Sequence, residues 1–205
     1  MKTIIVTPHK GIGNIFFGMT RKEVEEIIGS KDYKGETKAN DVSVRYEQYH
    51  ITYKEDKVFE ICINNIGGSK VIFNGIDLFN TIAEEIFDAL KLLSDYDYDC
   101  EDEYLSNTYY FKDFNMLLWR EDAFHPKLLN KEPFQKFIAI NEENLEYMKR
   151  YWYFDQICLK DPRDSFEPMV KIKNHYDMDF KEEIQYAVEE ITEEKRREIM
   201  AKYNL

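Results

Sequence analysis

The chain has 205 residues and a mass of 24.7 kDa, which is enough for one large domain or two small ones. Hydrophobic residues make up 43% of it and aromatic residues 15%, so it can form a core and wholesale disorder is excluded. With 28 Lys and Arg against 40 Asp and Glu, the formal net charge is −12, which argues against nucleic acid or an anionic membrane as a direct partner.

The sequence predicts a cytoplasmic protein. No run approaches the roughly eighteen consecutive apolar residues of a transmembrane helix. Residues 1–8 lack the longer apolar region and the small-residue cleavage site of a signal peptide, and they predict a first strand that ends at Pro8. The three cysteines (Cys62, Cys100 and Cys158) are widely spaced and form no CxxC motif, which favours ordinary reduced thiols.

A first helix is predicted soon after Gly18. Thr20 stands three residues before Glu23, the spacing of a capping box, and Gly29 supplies the stop signal. Polar residues 30–41 then predict a loop. Alternation of apolar and polar residues after it predicts a hairpin that turns at residues 54–57, followed by a short strand at residues 71–73.

The same order of elements recurs further along the chain. Thr81 stands three residues before Glu84, which predicts a second capping box, and an apolar stripe that reaches Leu93 predicts an amphipathic helix. Residues 95–103 predict an acidic loop. Three strands are predicted after it, at residues 108–111, 116–119 and 134–140.

The recurrence, offset by roughly sixty residues, predicts an internal duplication. The expected fold class is α+β, with one helix-plus-antiparallel-sheet repeat in residues 1–73, a second in residues 74–140 and a helix-rich extension in residues 141–205. The extension is expected to hold a helix capped by Asn141, a strand at residues 154–159 and a long helix at residues 179–203. The apolar stripe of that last helix packs on the main domain or forms a homodimer.

Motifs for catalysis, nucleotides and metals are incomplete. Gly11 and Gly13 resemble the start of a dinucleotide fingerprint, but Phe16 stands where the third glycine should be. The acidic run from Asp95 begins like a calcium loop, yet Cys100 takes the position that an EF-hand reserves for glycine. The four histidines show no local zinc-ligand spacing. We therefore expect no cofactor, no metal and no enzymatic activity.

Residues 11–24, with the pattern G-I-G-x-I-x-x-G-M-T-x-x-E-V, resemble the opening of bacterial domains of the β-lactamase-inhibitor-protein fold and of small outer-membrane-assembly lipoproteins. Residues 109–119 are similar to the hairpin that such proteins carry. The resemblance covers residues 8–140 and implies a helix followed by an antiparallel sheet, often in tandem. No lipobox cysteine precedes the first unit, and the segment after Asn141 has no counterpart. Many Firmicute proteins with this opening look like cytoplasmic immunity proteins of polymorphic toxin systems.

The leading functional hypothesis is an acidic immunity protein that neutralises a toxin by stoichiometric binding. Toxin nucleases hold phosphates and tend to be basic, so an acidic inhibitor would be attracted to them. Aromatic rings among acidic residues suit an interface. The predicted interface for this basic partner consists of Asp95, Tyr96, Asp97, Tyr98, Asp99, Glu101, Asp102, Glu103 and Tyr104. The alternative for the same residues is that the tyrosines cover the core and the acids are solvated.

The second hypothesis is a small-ligand- or metal-dependent enzyme whose site is assembled only in the folded chain. Its candidate residues are chosen by residue type alone, and they are His125, His175, Glu121 and Asp122.

Overall fold

The computed structural model describes residues 3–29, 32–38, 41–66, 68–101, 103–123, 135 and 142–172. These residues form a mixed α+β fold with two β-sheets, which confirms the predicted class. In the described ranges no helix is both long and apolar enough to span a bilayer.

The described residues form short helices and strands. The helices are α1 (Arg21–Ile28), α2 (Ala83–Leu90) and α3 (Glu142–Met148). The strands are β1 (Thr3–Thr7), β2 (Gly11–Ile12), β3 (Ile15–Phe16), β4 (Asp32–Lys38), β5 (Asp41–Tyr46), β6 (Tyr49–Lys54), β7 (Lys57–Asn64), β8 (Lys70–Phe73), β9 (Ile76–Asp77), β10 (Tyr96–Tyr98), β11 (Thr108–Phe111), β12 (Met116–Trp119) and β13 (Gln156–Lys160).

The strands form a small and a large sheet. The small sheet has the order β3-β2-β1-β8-β9, in which β1 and β8 run parallel. The large sheet has the order β10-β11-β12-β13-β7-β6-β5-β4, and each of its neighbouring pairs is antiparallel. The pair β7–β13 therefore lies at the centre of the large sheet, with three further strands on each side.

One face of the large sheet packs into the hydrophobic core. The buried side chains on this face are Ile61, Ile63, Ile157 and Leu159. The core that they form with the other elements also contains Val24 of α1, Ile86 and Phe87 of α2, and Ile4, Val6, Val71 and Phe73 of the small sheet. Because side chains alternate along a strand, the residues between these isoleucines point to the opposite, outer face.

The first capping box is confirmed. The Glu23 amide donates to Thr20 Oγ1 at 3.3 Å, and the Thr20 amide donates to Glu23 Oε2 at 2.7 Å. The bond from Thr20 holds the pKa of Glu23 below its ordinary value. Gly29 ends α1 with φ 86°, a left-handed conformation that a residue without a Cβ adopts at little cost.

The second predicted capping box is wrong. Helix α2 begins at Ala83 with Ile82 as its N-cap, and no side chain caps it. The Thr81 amide instead donates to the Asp77 carbonyl at 3.0 Å, because the turn after β9 holds the chain in a different conformation. The helix ends at Leu90, so the predicted stripe stops there, and Leu93 is 54% exposed.

These two threonines give a matched test of capping. We expect Thr20→Ala to lower the free energy of unfolding by about 1 kcal/mol, since one helix amide loses its acceptor. Thr81→Ala should change it by less than about 0.5 kcal/mol because no cap is lost. Urea unfolding of both variants measures the difference. Equal destabilisation by the two substitutions would contradict the assignment of the caps.

Two predicted loops contain edge strands. The loop predicted at residues 30–41 includes β4, and the acidic loop predicted at residues 95–103 includes β10. These strands are the two edges of the large sheet, where backbone pairing to one neighbour suffices and apolar alternation is not required. The predicted hairpin is confirmed, with its turn at Glu55 and Asp56, both at positive φ.

The C-terminal predictions are confirmed only where the chain is described. A helix follows residue 141 as α3 and continues as a 3₁₀ turn at Lys149–Trp152, and the predicted strand is β13. The predicted boundaries assign β13 to the extension, yet it lies in the centre of the large sheet. The strand predicted at residues 134–140 lies outside the described residues apart from Gln135, whose backbone is helical. The helix predicted at residues 179–203, and with it the homodimer, lies wholly outside them.

Candidate functional site

The predicted interface lies at one edge of the large sheet, next to the end of α2. Tyr96, Asp97 and Tyr98 form β10, and the backbone around Asp99 and Glu101 pairs with Ile172. Glu103 and Tyr104 follow in a 3₁₀ turn. Asp102 lies outside the described residues.

The tyrosines of this segment pack against α2. The rings of Tyr96 and Tyr104 meet Phe87 edge to face, with centroids 5.2 Å and 5.5 Å away. The Tyr96 hydroxyl donates to Glu103 at 3.2 Å, and burial raises the pKa of Tyr96. The Tyr104 hydroxyl donates to Asp88 Oδ1 at 2.8 Å. These rings cover the core at its margin, as the alternative interpretation of the segment expects.

Two of its carboxylates bind other parts of the chain. Asp97 Oδ2 accepts from the Met169 amide at 2.9 Å, and Asp97 Oδ1 lies 3.2 Å from Lys171 Nζ. Asp99 Oδ1 accepts from the amides of Asn107 and Thr108, at 2.9 Å and 3.1 Å. Asp97 and Asp99 therefore hold neighbouring loops in place rather than converge on a common ion.

Two exposed leucines lie beside this segment. Leu92 is 80% exposed and Leu93 is 54% exposed, immediately after α2. Asp88 lies one helical turn before Leu92, and exposed Asp95 follows Leu93 by two residues. Lys91 binds Asp88 at 2.7 Å and lies 3.9 Å from Glu103. We call this set the leucine–acid surface, and it consists of Asp88, Leu92, Leu93, Asp95 and Glu103.

The leucine–acid surface has the composition of a small docking site. Lys91 pairs with Asp88 and lies near Glu103, and Asp95 adds a third carboxylate, so the surface is net negative around its leucines. Interfaces commonly have an apolar centre within a polar rim. The sequence predicts Asp95 and Glu103 as interface residues, but it places Leu93 in the helix stripe and gives Leu92 no role. Only the end of α2 at Leu90 showed that the leucines are exposed.

A groove at one end of the large sheet is the second candidate. It encloses about 320 Å³ and is lined by Trp119, which is 37% exposed, and by Arg45, Glu47, Asn64, Asn65, Ile66, Glu121 and Asp155. The Glu121 carboxylate pairs with Arg150 at 2.9 Å, and its amide donates to Asp155 Oδ2 at 2.9 Å. Burial raises the pKa of Asp155.

The residues proposed for an enzyme are not brought together in the described chain. Glu121 lines the groove, whereas the Asp122 side chain accepts from the Ala123 amide at 2.7 Å. His125 and His175 lie outside the described residues, so the enzyme hypothesis stays untested. A second cleft, of about 290 Å³, lies by the β6–β7 hairpin and is lined by Lys54, Glu55, Lys57, Val58, Phe59, Arg163 and Asp164.

The expectation of reduced cysteines is wrong for two of the three. Cys62 and Cys158 lie opposite each other on β7 and β13 and form a disulfide, while Cys100 is buried outside the disulfide. The two residues are 96 positions apart in the sequence, so no local pattern indicated the bond. An oxygen of Glu60 and the two sulfurs lie within 4.8 Å of one another. This is the one group of potential metal ligands found among the described side chains.

Glu60 and His50 share the outer face of the sheet with the disulfide. Burial raises the pKa of Glu60, an effect that Lys160 opposes. Burial lowers the pKa of His50, and the positive charge of Arg45 lowers it further. His9 lies elsewhere, where Nε2 is 2.8 Å from the Asp113 carbonyl oxygen.

Comparison with known proteins identifies no relative. No family model matches the chain, and no curated protein and no solved structure matches it significantly. The resemblance to β-lactamase-inhibitor-protein-like domains therefore stays a prediction from residues 8–140.

Proposed function

We propose that the protein is a stoichiometric binding protein, in the manner of an immunity protein, and that its leucine–acid surface docks on a basic protein partner. The observation that carries the proposal is the pair of exposed leucines, Leu92 and Leu93, next to the carboxylates of Asp88 and Asp95. Isolated exposed leucines are common, but adjacent ones with an acidic rim favour a protein contact.

Charge complementarity selects the class of partner. The whole chain carries a formal charge of −12, and the surface itself is net negative. A basic protein would be attracted at long range and would lose that attraction as salt is added. A toxin nuclease fits this description because it must hold phosphates. Neutralisation would then follow from covering its active site.

Contacts around Lys91 hold the acidic side of the surface in place, which favours binding. Lys91 donates to the Tyr104 hydroxyl at 3.0 Å and lies over the Phe87 and Tyr104 rings, with its Nζ 4.8 Å and 5.1 Å from their centroids. These contacts fix the 3₁₀ turn that follows β10 against α2. A preorganised surface loses little conformational entropy when a partner binds.

The arrangement of the strands supports the predicted duplication. Helix α1 is followed by β4, β5, β6 and β7. Helix α2 is followed by β10, β11 and β12 and then, after α3 and beyond the predicted boundary at residue 140, by β13. The two sets of four strands meet at β7 and β13, and β1 and β8 pair in the small sheet. A tandem α+β architecture of this kind offers a large surface for docking.

The test is capture of a basic partner from the source cells by the full-length chain, followed by mass spectrometry. We expect one basic protein in near-stoichiometric amount. The double substitution Leu92→Asp and Leu93→Asp should weaken its binding by at least about 30-fold, the loss expected for one hot spot of about 2 kcal/mol. Association should also slow as salt is raised.

Ile66→Asp is the matched control, because Ile66 is 51% exposed and lies in the end groove, away from the leucine–acid surface. This variant should bind as the unchanged protein does. The proposal fails if no basic protein is retained, or if the Leu92 and Leu93 double variant retains it undiminished.

A further inference from the structure

The central strands β6, β7 and β13 place four chemically reactive side chains on one face. On the large sheet His50 of β6 lies opposite Cys62 of β7, and Cys62 lies opposite Cys158 of β13. Glu60 precedes Cys62 by two residues, so its side chain leaves the sheet on the same side. These side chains point to the outer face of the sheet, opposite the face that carries the buried isoleucines.

Glu60 lies at a ligand-to-ligand distance from Cys62, and the two sulfurs are joined in the disulfide. Cys62 Sγ lies 3.6 Å from Glu60 Oε1, and all three ligand atoms lie within 4.8 Å of one another. Two ligands of one tetrahedral zinc ion lie about 3.5–3.8 Å apart, given bonds of about 2.3 Å to sulfur and about 2.0–2.2 Å to oxygen. The Cα atoms of the cysteines are 4.0 Å apart, so both sulfurs can reach one ion by side-chain rotation alone.

We infer that the Cys62–Cys158 disulfide is the oxidised form of a zinc site, and that after reduction Cys62, Cys158 and Glu60 bind one Zn²⁺. His50 lies opposite Cys62 but outside the group of three, so its imidazole must turn toward the ion to supply the fourth ligand. Thiolate, imidazole and carboxylate are the groups that bind Zn²⁺ in proteins. The two thiolates disfavour hard cations such as Ca²⁺ and Mg²⁺, which prefer oxygen ligands.

The reaction has two balanced steps. A dithiol reductant gives two electrons and two protons to the disulfide, so the S–S bond breaks, two cysteine thiols form and the reductant becomes a disulfide. Zn²⁺ then displaces the two thiol protons and binds the two thiolates. A small-molecule disulfide would reverse this: it takes two electrons from the thiolates by thiol–disulfide exchange and is itself reduced to thiols, while the Cys62–Cys158 bond re-forms and the ion leaves. The chain would therefore hold zinc only under reducing conditions.

The probe is Co²⁺, which replaces Zn²⁺ in such sites and shows a thiolate-to-cobalt charge-transfer band. The full-length protein is reduced with a phosphine, freed of reductant without air and titrated with Co²⁺. We expect one equivalent to bind with this band, Zn²⁺ to displace it, and the oxidised protein to bind none. Glu60→Gln should weaken Co²⁺ binding at least about tenfold. Substitution of a residue that only hydrogen-bonds to a metal ligand already costs that much, and Glu60 is proposed as a ligand itself. His50→Ala should weaken Co²⁺ binding as well.

Cys100→Ser is the matched control, since Cys100 is outside the group and should leave the titration unchanged. Circular dichroism before and after reduction checks that the sheet persists. Glu60→Gln keeps both cysteines and tests the site without removing the disulfide. The inference is overturned if folded, reduced protein gives no charge-transfer band, or if a Cys62→Ser, Cys158→Ser variant gives the same band. It does not depend on the proposed docking, because it concerns strands at the centre of the sheet rather than its β10 edge.

Discussion

Replacing Arg120 with Ala should lower the free energy of unfolding by about 3–4 kcal/mol, because the guanidinium joins several segments inside the protein. Arg120 is fully buried immediately after β12. Its Nε donates to the Ser106 carbonyl at 3.1 Å, and its Nη2 donates to the Tyr104 carbonyl at 2.9 Å. Nη1 reaches the Tyr151 carbonyl at 3.4 Å.

Removal of the guanidinium leaves these carbonyl oxygens buried without their donor. The planar group also lies between aromatic rings, with Cζ 6.0 Å from the centroids of Tyr109 and Phe154. Burial raises the pKa of Tyr109, whose hydroxyl accepts from Nη2 at 3.3 Å. Alanine would therefore lose hydrogen bonds and packing together, and leave a cavity.

Urea unfolding followed by circular dichroism measures this loss. Arg120→Lys should recover little of it, since an ammonium group cannot reproduce the fork of donors. Arg45→Ala is the control, because Arg45 is exposed and its loss should cost less than about 0.5 kcal/mol. An unfolding midpoint for Arg120→Ala equal to that of the Arg45 control would contradict the structural role.

Reduction of the disulfide should lower the free energy of unfolding by about 2–5 kcal/mol. The bond joins residues 96 positions apart, and a cross-link that closes so long a loop removes much of the conformational freedom of the unfolded chain. It also connects β7 to β13, the central pair of the large sheet.

The measurement is urea unfolding with and without dithiothreitol, with a chelator present so that metal binding makes no contribution. The denatured chain should show one reactive thiol before reduction and three after it. The Cys62→Ala, Cys158→Ala variant is the control, and dithiothreitol should not move its transition. If dithiothreitol exposes all three thiols but leaves the urea midpoint of the wild-type protein unchanged, the expected stabilisation by the disulfide is refuted.

The two Thr–Glu spacings that predict capping boxes lead to different structures in this chain. Thr20 and Thr81 each precede a glutamate by three residues, yet only Thr20 caps a helix. The turn after β9 is held by Asp77, whose side chain accepts from the Phe79 amide at 3.3 Å and whose carbonyl accepts from Thr81. The competing acceptor lies in the preceding turn, and the Thr–Glu spacing does not reveal it.

The candidate sites differ in how much of them the sequence predicted. The acidic and aromatic residues around Tyr96 and Glu103 were found by composition, but composition left open whether the tyrosines face a partner or cover the core. Leu93 continued a helical stripe in the sequence, and only the end of α2 at Leu90 exposes it beside Leu92. Arg120 looked like any charged residue at the end of a strand, because burial by distant segments leaves no local pattern.

The sequence by itself determined the α+β class, helix α1 with its cap and its glycine stop, and most of the strands, because these depend on local periodicity and capping. The tertiary structure decided the edge strands β4 and β10, the central pairing of β7 with β13, the disulfide and the burial of Arg120. These features depend on contacts between residues far apart in the chain. Backbone pairing and burial of this kind are fixed only when the whole sheet forms.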